Sequence, residues 1–304
     1  MPLTPAFTRT RLAPTPSGYL HLGNVASFVL TAGLARRSGA SILLRIDDLD
    51  RERVRDHYLE DIFDTLLFLD IPWDEGPRSA NEHRQLFTQS TRMQAYADAL
   101  DYLRATGAIF ACNCSRSALA AQAGSTYPGT CLHRGLPPEQ PGVNWRLHTE
   151  RSGGITWQDM RQGPTQLPLP PDMHFFMVRR KNGYPSYQLA SVVDDLYFNV
   201  DLVVRGADLL PSTLAQQWLA GHLPANRFSA TTFVHHPLLH APGGTKLSKS
   251  AGDTSVYSLR KTGHAAAGIY RLVASACGSP EQPGSWEELF DVLEPLWLTG
   301  GGQG

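Results

Sequence analysis

The chain has 304 residues, 42% of them hydrophobic, so it can bury a full core in one main domain with appendages. The formal net charge of −1 excludes a global basic field, and any RNA contact must use a local patch such as residues 179–181 or 260–261. Such short runs are equally typical of an ordinary solvated surface. Four cysteines are too few for a disulfide framework in a chain this long. No stretch reaches the roughly 18 uncharged apolar residues of a membrane span, and the N-terminus lacks the apolar core of a secretory signal. These features predict a cytoplasmic protein.

Hydrophobic periodicity predicts alternating strands and helices in the first hundred residues. We expect a strand over residues 9–13, a helix over 24–37 closed by Gly39, a buried strand over 41–46, and helices over 54–69 and 90–105. Strand, helix, strand, helix in this order predicts an α/β domain with a Rossmann-like, doubly wound parallel sheet.

The pattern breaks between residues 111 and 172, where Gly, Pro, Cys and Ser are frequent, and this stretch is predicted to be an insertion. Alternation resumes over 174–180, and the Asn182-Gly183 pair after it predicts a hairpin turn. A strand over 200–205, a helix over 212–222 and two amphipathic segments over 264–276 and 285–297 complete the pattern. The expected organisation is a first half of the α/β domain at 1–110, the insertion at 111–172, a second half at 173–252 and a helical C-terminal extension at 253–304.

A proline-rich turn at residues 14–18 leads into the predicted first helix, and this arrangement is typical of an anion site. His21 and Asn24 lie where the helix would begin, and a helix start offers unpaired N–H groups and a positive dipole end to a phosphate. Gly23 has no Cβ, so an adenine ring or a ribose could lie against its backbone. The same residues are also compatible with an ordinary helix start.

A second candidate phosphate-binding element occurs late in the chain. Lys246 and Lys249 flank serines in a glycine-bounded loop at residues 243–252, which we call the Lys/Ser loop. Two ammonium groups there would neutralise a departing pyrophosphate, and such positioned charges typically contribute ~3 to 4 kcal/mol of transition-state stabilisation. Alone, the loop would be read as a solvated basic turn. Together with His21 and Asn24, it predicts a shared site for a nucleoside triphosphate.

Several segments resemble the signatures of one family. Residues 11–18 (RLAPTPSG) and the following Leu20-His21-Leu22-Gly23 resemble the opening signature of the glutamyl- and glutaminyl-tRNA synthetases, and residues 45–50, 191–195 and 204–208 resemble their later core segments. The resemblance implies a class I synthetase catalytic domain, a ligase that uses ATP with Mg²⁺ to activate L-glutamate as an adenylate. No general base is needed, because an ionised carboxylate can attack the α-phosphate directly.

The resemblance also implies a set of site residues. The glutamate site would comprise Arg11, Leu12, Ala13, Pro14, Thr15, Asp47, Tyr187 and Arg205. The ATP site would comprise His21, Gly23, Asn24, Asp208, Lys246 and Lys249, with His21, Asn24, Lys246 and Lys249 acting in catalysis.

Arg11 and Arg205 suit bidentate carboxylate recognition, Asp47 could hold the substrate ammonium, and Tyr187 could close the pocket. Related sequences usually carry Glu where Asp47 stands, and the shorter acid reaches less far. The alternative for Asp47 is a structural ion pair with Arg45. Residues 194–195, both Asp, fit a structural role equally well.

About fifty residues follow the Lys/Ser loop, fewer than an anticodon-binding domain needs. This architecture resembles the glutamyl-Q tRNA(Asp) synthetases, truncated paralogues that attach glutamate to queuosine at the wobble base of tRNA(Asp). The resemblance implies that the tRNA(Asp) anticodon loop enters the active site, and we expect a monomer. Two alternatives remain: a truncated glutamate–tRNA ligase that charges the acceptor end, and a non-catalytic paralogue that binds adenylate or tRNA.

The cysteines resemble the metal pattern of that family, Cys-x-Cys followed by Tyr-x-x-x-Cys, with Cys112, Cys114, Tyr127 and Cys131 at the matching positions. Three thiolates and a phenolate can form a tetrahedral, structural Zn²⁺ site. The alternatives are free thiols, or His133 as the fourth ligand instead of Tyr127.

Overall fold

The computed structural model describes residues 7–115, 126–239 and 255–299, so Lys246 and Lys249 lie outside the described residues. The chain divides into two compact units. The first unit comprises Met1–Thr91, Val200–Asp208 and Phe233–Gly304, and the second comprises Arg92–Asn199 and Leu209–Thr232. Within the described ranges, every helix is too short or too polar to cross a lipid bilayer.

The regular elements follow the chain in this order. The strands are β1 (Arg9–Leu12), β2 (Ser41–Leu44), β3 (Ile109–Cys112), β4 (Asn144–Leu147), β5 (Gly154–Asp159), β6 (Gly163–Pro168), β7 (Met177–Arg179), β8 (Leu202–Gly206) and β9 (Thr232–His236). The α-helices are α1 (Leu22–Ser38), α2 (Asp56–Phe68), α3 (Ala80–Glu82), α4 (Met93–Ala105), α5 (Tyr187–Tyr197), α6 (Leu210–Ala220), α7 (Val256–Lys261), α8 (Ala266–Ala276) and α9 (Trp286–Glu294).

The first unit is built on neighbouring strands in the order β2-β1-β8-β9, in which β1 runs parallel to both β2 and β8. The apolar run of β2 is buried, as expected for a parallel strand. Thr10 of β1 pairs with Leu202 of β8, so the start of the chain lies beside a segment from its last third. The predicted Rossmann-like parallel sheet is confirmed.

Helix α1 has a well-defined start and end. His21 is the N-cap, and Gly39 closes the helix in the left-handed conformation with a φ of 75°, as the sequence predicts. Its first turn contains no acidic residue, so no carboxylate of that turn offsets the positive end of the helix dipole. Farther along, a Cβ on Gly33 would lie 2.1 Å from a ring atom of Phe290, so α9 packs directly onto the α1 backbone.

The second unit contains a sheet in the order β3-β4-β7, with antiparallel pairing, and an antiparallel hairpin of β5 and β6. The stretch predicted as an insertion, 111–172, thus contributes three strands, and Trp145 and Leu147 of β4 are buried. The predicted turn after β7 is present, because Gly183 N donates to Arg180 O at 2.9 Å.

A buried ion pair ties α4 to α5 within the second unit. The Arg92 guanidinium donates to both carboxylate oxygens of Asp194, at 2.7 and 3.3 Å, and Tyr96 Oη donates to the same carboxylate at 2.7 Å. The Asp194 side chain is 0% exposed. A buried carboxylate with this many donors is a structural element, which supports the structural reading of Asp194.

Candidate active site and metal centre

His21 and Asn24 form a capping box at the start of α1. The His21 Nδ1 atom accepts the Gly23 N–H at 3.1 Å, and Asn24 Oδ1 accepts the His21 N–H at 3.0 Å. Since Nδ1 is an acceptor, the neutral ring carries its proton on Nε2. The helix cap therefore fixes the tautomer in which His21 can donate to a phosphate oxygen through Nε2.

Gly23 makes room for this imidazole. A Cβ at Gly23 would lie 2.9 Å from His21 Cε1 and 3.0 Å from Nδ1, so any larger residue would push the ring aside. The sequence predicts a role for this glycine beside the nucleotide. The structure links it first to the placement of His21.

The residues that follow the Lys/Ser loop lie beside the start of α1. Ser255 forms an antiparallel bridge with His21, and Val256 N donates to Leu20 O at 2.8 Å. The rings of Tyr19 and Tyr257 stack with centroids 4.1 Å apart and planes within 8°. Ser255 is the sixth residue after Lys249. The chain that follows the Lys/Ser loop, from Ser255 onward, therefore contacts the start of α1 in the first unit.

Asp47 is fixed by both its backbone and its side chain. Beyond the ends of β1 and β2, Arg45 N donates to Leu12 O and Asp47 N donates to Pro14 O, each at 2.9 Å. The Arg45 guanidinium holds the Asp47 carboxylate in a bidentate pair at 2.7 and 3.1 Å. The Arg45 side chain is only 3% exposed, so it depends on this partner. The structural ion pair is present, and the role of Asp47 in binding an ammonium group stays a prediction.

Arg11 and Arg205 are both buried in the first unit, on the adjacent strands β1 and β8. Arg11 Nη1 lies 3.5 Å from Val204 O, and the Arg205 guanidinium lies over the Phe233 ring, with Cζ 5.2 Å from its centroid. Burial, followed by the neighbouring Arg205 and His236, lowers the pKa of His235 to about 3. A neutral imidazole thus lies near Arg205 at neutral pH.

The other predicted site residues are placed as follows. Leu12 and Pro14 are buried and Ala13 and Thr15 half-buried in the segment after β1, and Asp208 is exposed in the short 3₁₀ turn after β8. Tyr187 belongs to the second unit, where it begins α5 and is 44% exposed.

Three thiols converge in the second unit. The Sγ atoms of Cys112, Cys114 and Cys131 all lie within 4.8 Å of one another, and those of Cys114 and Cys131 are 3.5 Å apart. The phenol of Tyr127 is buried beside them, and its Oη accepts the Cys131 N–H at 2.9 Å. His133 is exposed and lies outside this cluster in the described part of the chain. The arrangement favours Tyr127 over His133 as a fourth ligand.

The chemistry of this cluster fits a thiolate-preferring metal. Burial, and then the neighbouring thiols, raise the pKa of Cys114 to about 12, since adjacent thiolates repel each other without a cation. A bound cation would remove that cost and release the protons. Three sulfurs and one phenolic oxygen match the donor types of a closed tetrahedral site.

Two features of these sites were not predicted. The Tyr19–Tyr257 stack joins rings from distant parts of the sequence, and no short motif indicates it. The guanidinium of Arg146 lies on the face of Tyr127, with Cζ 3.6 Å from the ring centroid. Arg146 comes from β4, a strand that the sequence analysis did not predict.

Comparison with known proteins identifies the family. Residues 8–274 match the catalytic domain of the class I tRNA synthetases for glutamate and glutamine. A glutamyl-Q tRNA(Asp) synthetase of Symbiobacterium thermophilum is 38% identical over 93% of this chain and 91% of its own length. A glutamate–tRNA ligase of an Anaeromyxobacter species is 34% identical over 84% of this chain and 55% of its own length.

A solved structure shows the same fold. The crystal structure of a glutamate–tRNA synthetase from Elizabethkingia anophelis superimposes with a TM-score of 0.76 at 22% identity, covering 96% of this chain and 66% of that one. The chain therefore belongs to the family of class I tRNA synthetases for glutamate and glutamine, as the resemblance in its sequence indicated.

Proposed function

We propose that this chain is an ATP-dependent ligase that activates L-glutamate as glutamyl adenylate and transfers the glutamate to queuosine at the wobble position of tRNA(Asp). The observation that carries the catalytic part is the bridge between His21 and Ser255, because Ser255 is the third residue after the Lys/Ser loop in the sequence. The relative named for glutamyl-Q tRNA(Asp) synthesis, matched over 91% of its length, supports the choice of acceptor.

In the first step, the glutamate α-carboxylate attacks the α-phosphorus of MgATP, and the bond to the β-phosphate breaks to release pyrophosphate. His21 Nε2–H and the N-terminal end of α1 contact the phosphates, with Asn24 holding the cap, and Lys246 and Lys249 neutralise the charge on the leaving group. In the second step, a queuosine hydroxyl attacks the adenylate carbonyl, loses its proton and displaces AMP.

The substrates are held by the residues that the resemblance indicates. Arg11 and Arg205 bind the side-chain carboxylate of glutamate, and Asp47 offers its remaining lone pairs to the ammonium group. Tyr187 closes the amino-acid site. Asp208 contacts the ribose of ATP, and Gly23 keeps His21 in place.

The metal of the second unit is zinc in this proposal, held by Cys112, Cys114, Tyr127 and Cys131. Its role is structural, because four protein ligands leave no open position for a substrate. The enzyme acts as a monomer in the cytoplasm, and the anticodon loop of tRNA(Asp) enters the active site.

The decisive experiment follows transfer of labelled glutamate to four RNAs: tRNA(Asp) with queuosine, the same tRNA without its 3′-terminal adenosine, tRNA(Asp) lacking queuosine, and tRNA(Glu). We expect label on the first two only, because the trimmed tRNA keeps its modified base and loses the acceptor hydroxyls. Trimmed tRNA(Asp) that has been deacylated beforehand is the matched control, because it shows whether the trimming leaves the rest of the RNA intact.

The alternatives give different results in the same experiment. Label on tRNA(Glu) that disappears after trimming would identify a glutamate–tRNA ligase, the activity named for the Anaeromyxobacter relative. Absence of both transfer and glutamate-dependent exchange of pyrophosphate into ATP would identify a non-catalytic paralogue.

A further inference from the structure

Arg146 is a buried cation beside the cysteine cluster. It is 6% exposed, and its backbone in β4 lies between Phe110 of β3 and Met177 of β7. The guanidinium lies over the Tyr127 ring at 3.6 Å, and Nη1 donates to Phe175 O at 2.7 Å.

No carboxylate compensates this charge within the described residues. The hydrogen bond to Phe175 goes to a neutral carbonyl, and Nε is buried without a hydrogen-bond partner. Residues 116–125, between Cys114 and Tyr127, contain no Asp or Glu. A buried charge without a counter-charge is destabilising, so an anionic group is expected next to Arg146.

The metal centre supplies such an anion when it is occupied. Three thiolates and one phenolate around a divalent cation carry roughly two net negative charges in a buried setting. The phenolate oxygen belongs to the very ring over which Arg146 lies, and that ring is held in place by the hydrogen bond from Cys131 N. Arg146 therefore lies where an occupied metal centre would place negative charge.

We propose that Arg146 is a positioning residue of the metal centre: it balances the charge of the occupied site and holds the Tyr127 ring in its ligating orientation. This inference rests on the metal assignment of the proposed function and is independent of the acceptor RNA. Arg146 stabilises the metal-bound state more than the metal-free state. A purely structural arginine would stabilise both states equally.

The test compares Arg146→Met and Arg146→Lys with the parent protein. Methionine keeps much of the volume without the charge, whereas lysine keeps the charge without the planar group. Zinc affinity is measured by competition with a chromogenic chelator, site geometry by the absorption spectrum of the Co²⁺-substituted protein, and thermal unfolding with and without metal. Tyr127→Phe, alone and combined with Arg146→Met, completes a double-mutant cycle for zinc affinity.

We expect Arg146→Met to lose about 10- to 100-fold in zinc affinity, the usual effect of a group that supports a ligand. Its metal-free form should lose less thermal stability, relative to the metal-free parent, than its metal-bound form loses relative to the metal-bound parent. Arg146→Lys should recover part of the affinity. In the Tyr127→Phe background, the effect of Arg146→Met should shrink, because the charged oxygen is gone.

Three results would overturn the proposal. Unchanged zinc affinity in Arg146→Met is one, and an equal fall in the stability of the metal-free and metal-bound forms is another. The third is a parent protein that takes up no metal, which would remove the metal assignment while leaving glutamate transfer to be judged by its own assay.

Discussion

The imidazole of His21 caps α1 and, in the proposed function, also contacts a phosphate. Its Nδ1 atom caps α1, and the same hydrogen bond leaves the ring proton on Nε2, where a phosphate would accept it. The sequence indicated that His21 and Asn24 begin a helix at an anion site, and it also allowed an ordinary helix start. The structure shows the cap itself, which confirms the helix start, whereas the contact of these residues with an anion stays a prediction.

Two substitutions at His21 separate these roles. His21→Asn should keep the free energy of unfolding within about 0.5 kcal/mol, because asparagine is a preferred N-cap, whereas His21→Ala should lose about 1 kcal/mol. Both should slow glutamate-dependent pyrophosphate exchange by about 10²-fold, the usual cost of one lost donor to developing charge. Urea unfolding and the exchange assay measure the two effects. Parental exchange in His21→Asn would show that the imidazole does not contact the phosphates.

At the scale of elements, the start of the first unit was predictable, whereas β9 and much of the second unit were not. β1, α1 and β2 carry clear apolar patterns and a Gly39 cap, and their bounds agree with the prediction to within a few residues. The missed strands lack such signals. β6 contains two prolines and is mostly exposed, β4 has four residues including a buried arginine, and β9 ends in two histidines. Pairing with neighbours distant in sequence makes these segments strands.

Packing of α9 on α1 predicts an unusual response to a glycine substitution. Gly33→Ala should destabilise the protein by about 1–3 kcal/mol, because the new methyl group would overlap the Phe290 ring. In a Phe290→Ala background, the same change should stabilise by about 1 kcal/mol, since alanine is the better helix former. Chemical denaturation of the four proteins gives both numbers. If the effects of Gly33→Ala and Phe290→Ala on the free energy of unfolding simply add in the double variant, the two positions are not in direct contact.

A substitution in the Lys/Ser loop tests its proposed contact with pyrophosphate. Lys249→Ala should lower pyrophosphate exchange by about 10²-fold or more while leaving the unfolding temperature unchanged, because the ammonium group acts on the leaving pyrophosphate. Lys261→Ala is the matched control, since this lysine follows the loop on α7 and lies over Tyr257. Equal effects of the two changes would refute the role given to Lys249.

The stability of the whole molecule should depend on pH through the half-buried His235. The pKa of His235 is lowered from 6.5 to about 3, so the folded protein holds this imidazole neutral while the unfolded chain protonates it below pH 6.5. The stabilisation is therefore complete above pH 6.5 and is lost as the pH falls toward 3. His236 shifts in the same direction, mainly through burial.

His235→Gln should flatten this dependence by up to about 1.4 kcal/mol per pH unit well below pH 6.5. Unfolding curves at pH 8 give the packing cost of the substitution, and the additional difference at pH 5 isolates the titration. If the free energy of unfolding changes by the same amount in the variant and the parent between pH 8 and pH 5, His235 is protonated equally in the folded and unfolded states.

The family could be recognised from sequence because its signatures are short, local and built on chemistry that tolerates little change. Residues 11–18 and 45–50 are of this kind, and the cysteine pattern led to three thiols that do meet in space. Local patterns could not give the contacts that join distant segments, such as Ser255 with His21 or Arg146 with Tyr127. Those depend on the packing of the whole chain.

The pairing of Arg45 N with Leu12 O and of Asp47 N with Pro14 O has a consequence for evolution and for engineering. The main chain that carries the acid is clamped against its neighbour, so it cannot advance toward a ligand. Lengthening the acid to glutamate would change its reach by one carbon while these two backbone hydrogen bonds are kept. In the proposed amino-acid site, a single substitution at Asp47 is therefore enough to alter the reach of the contact with the substrate.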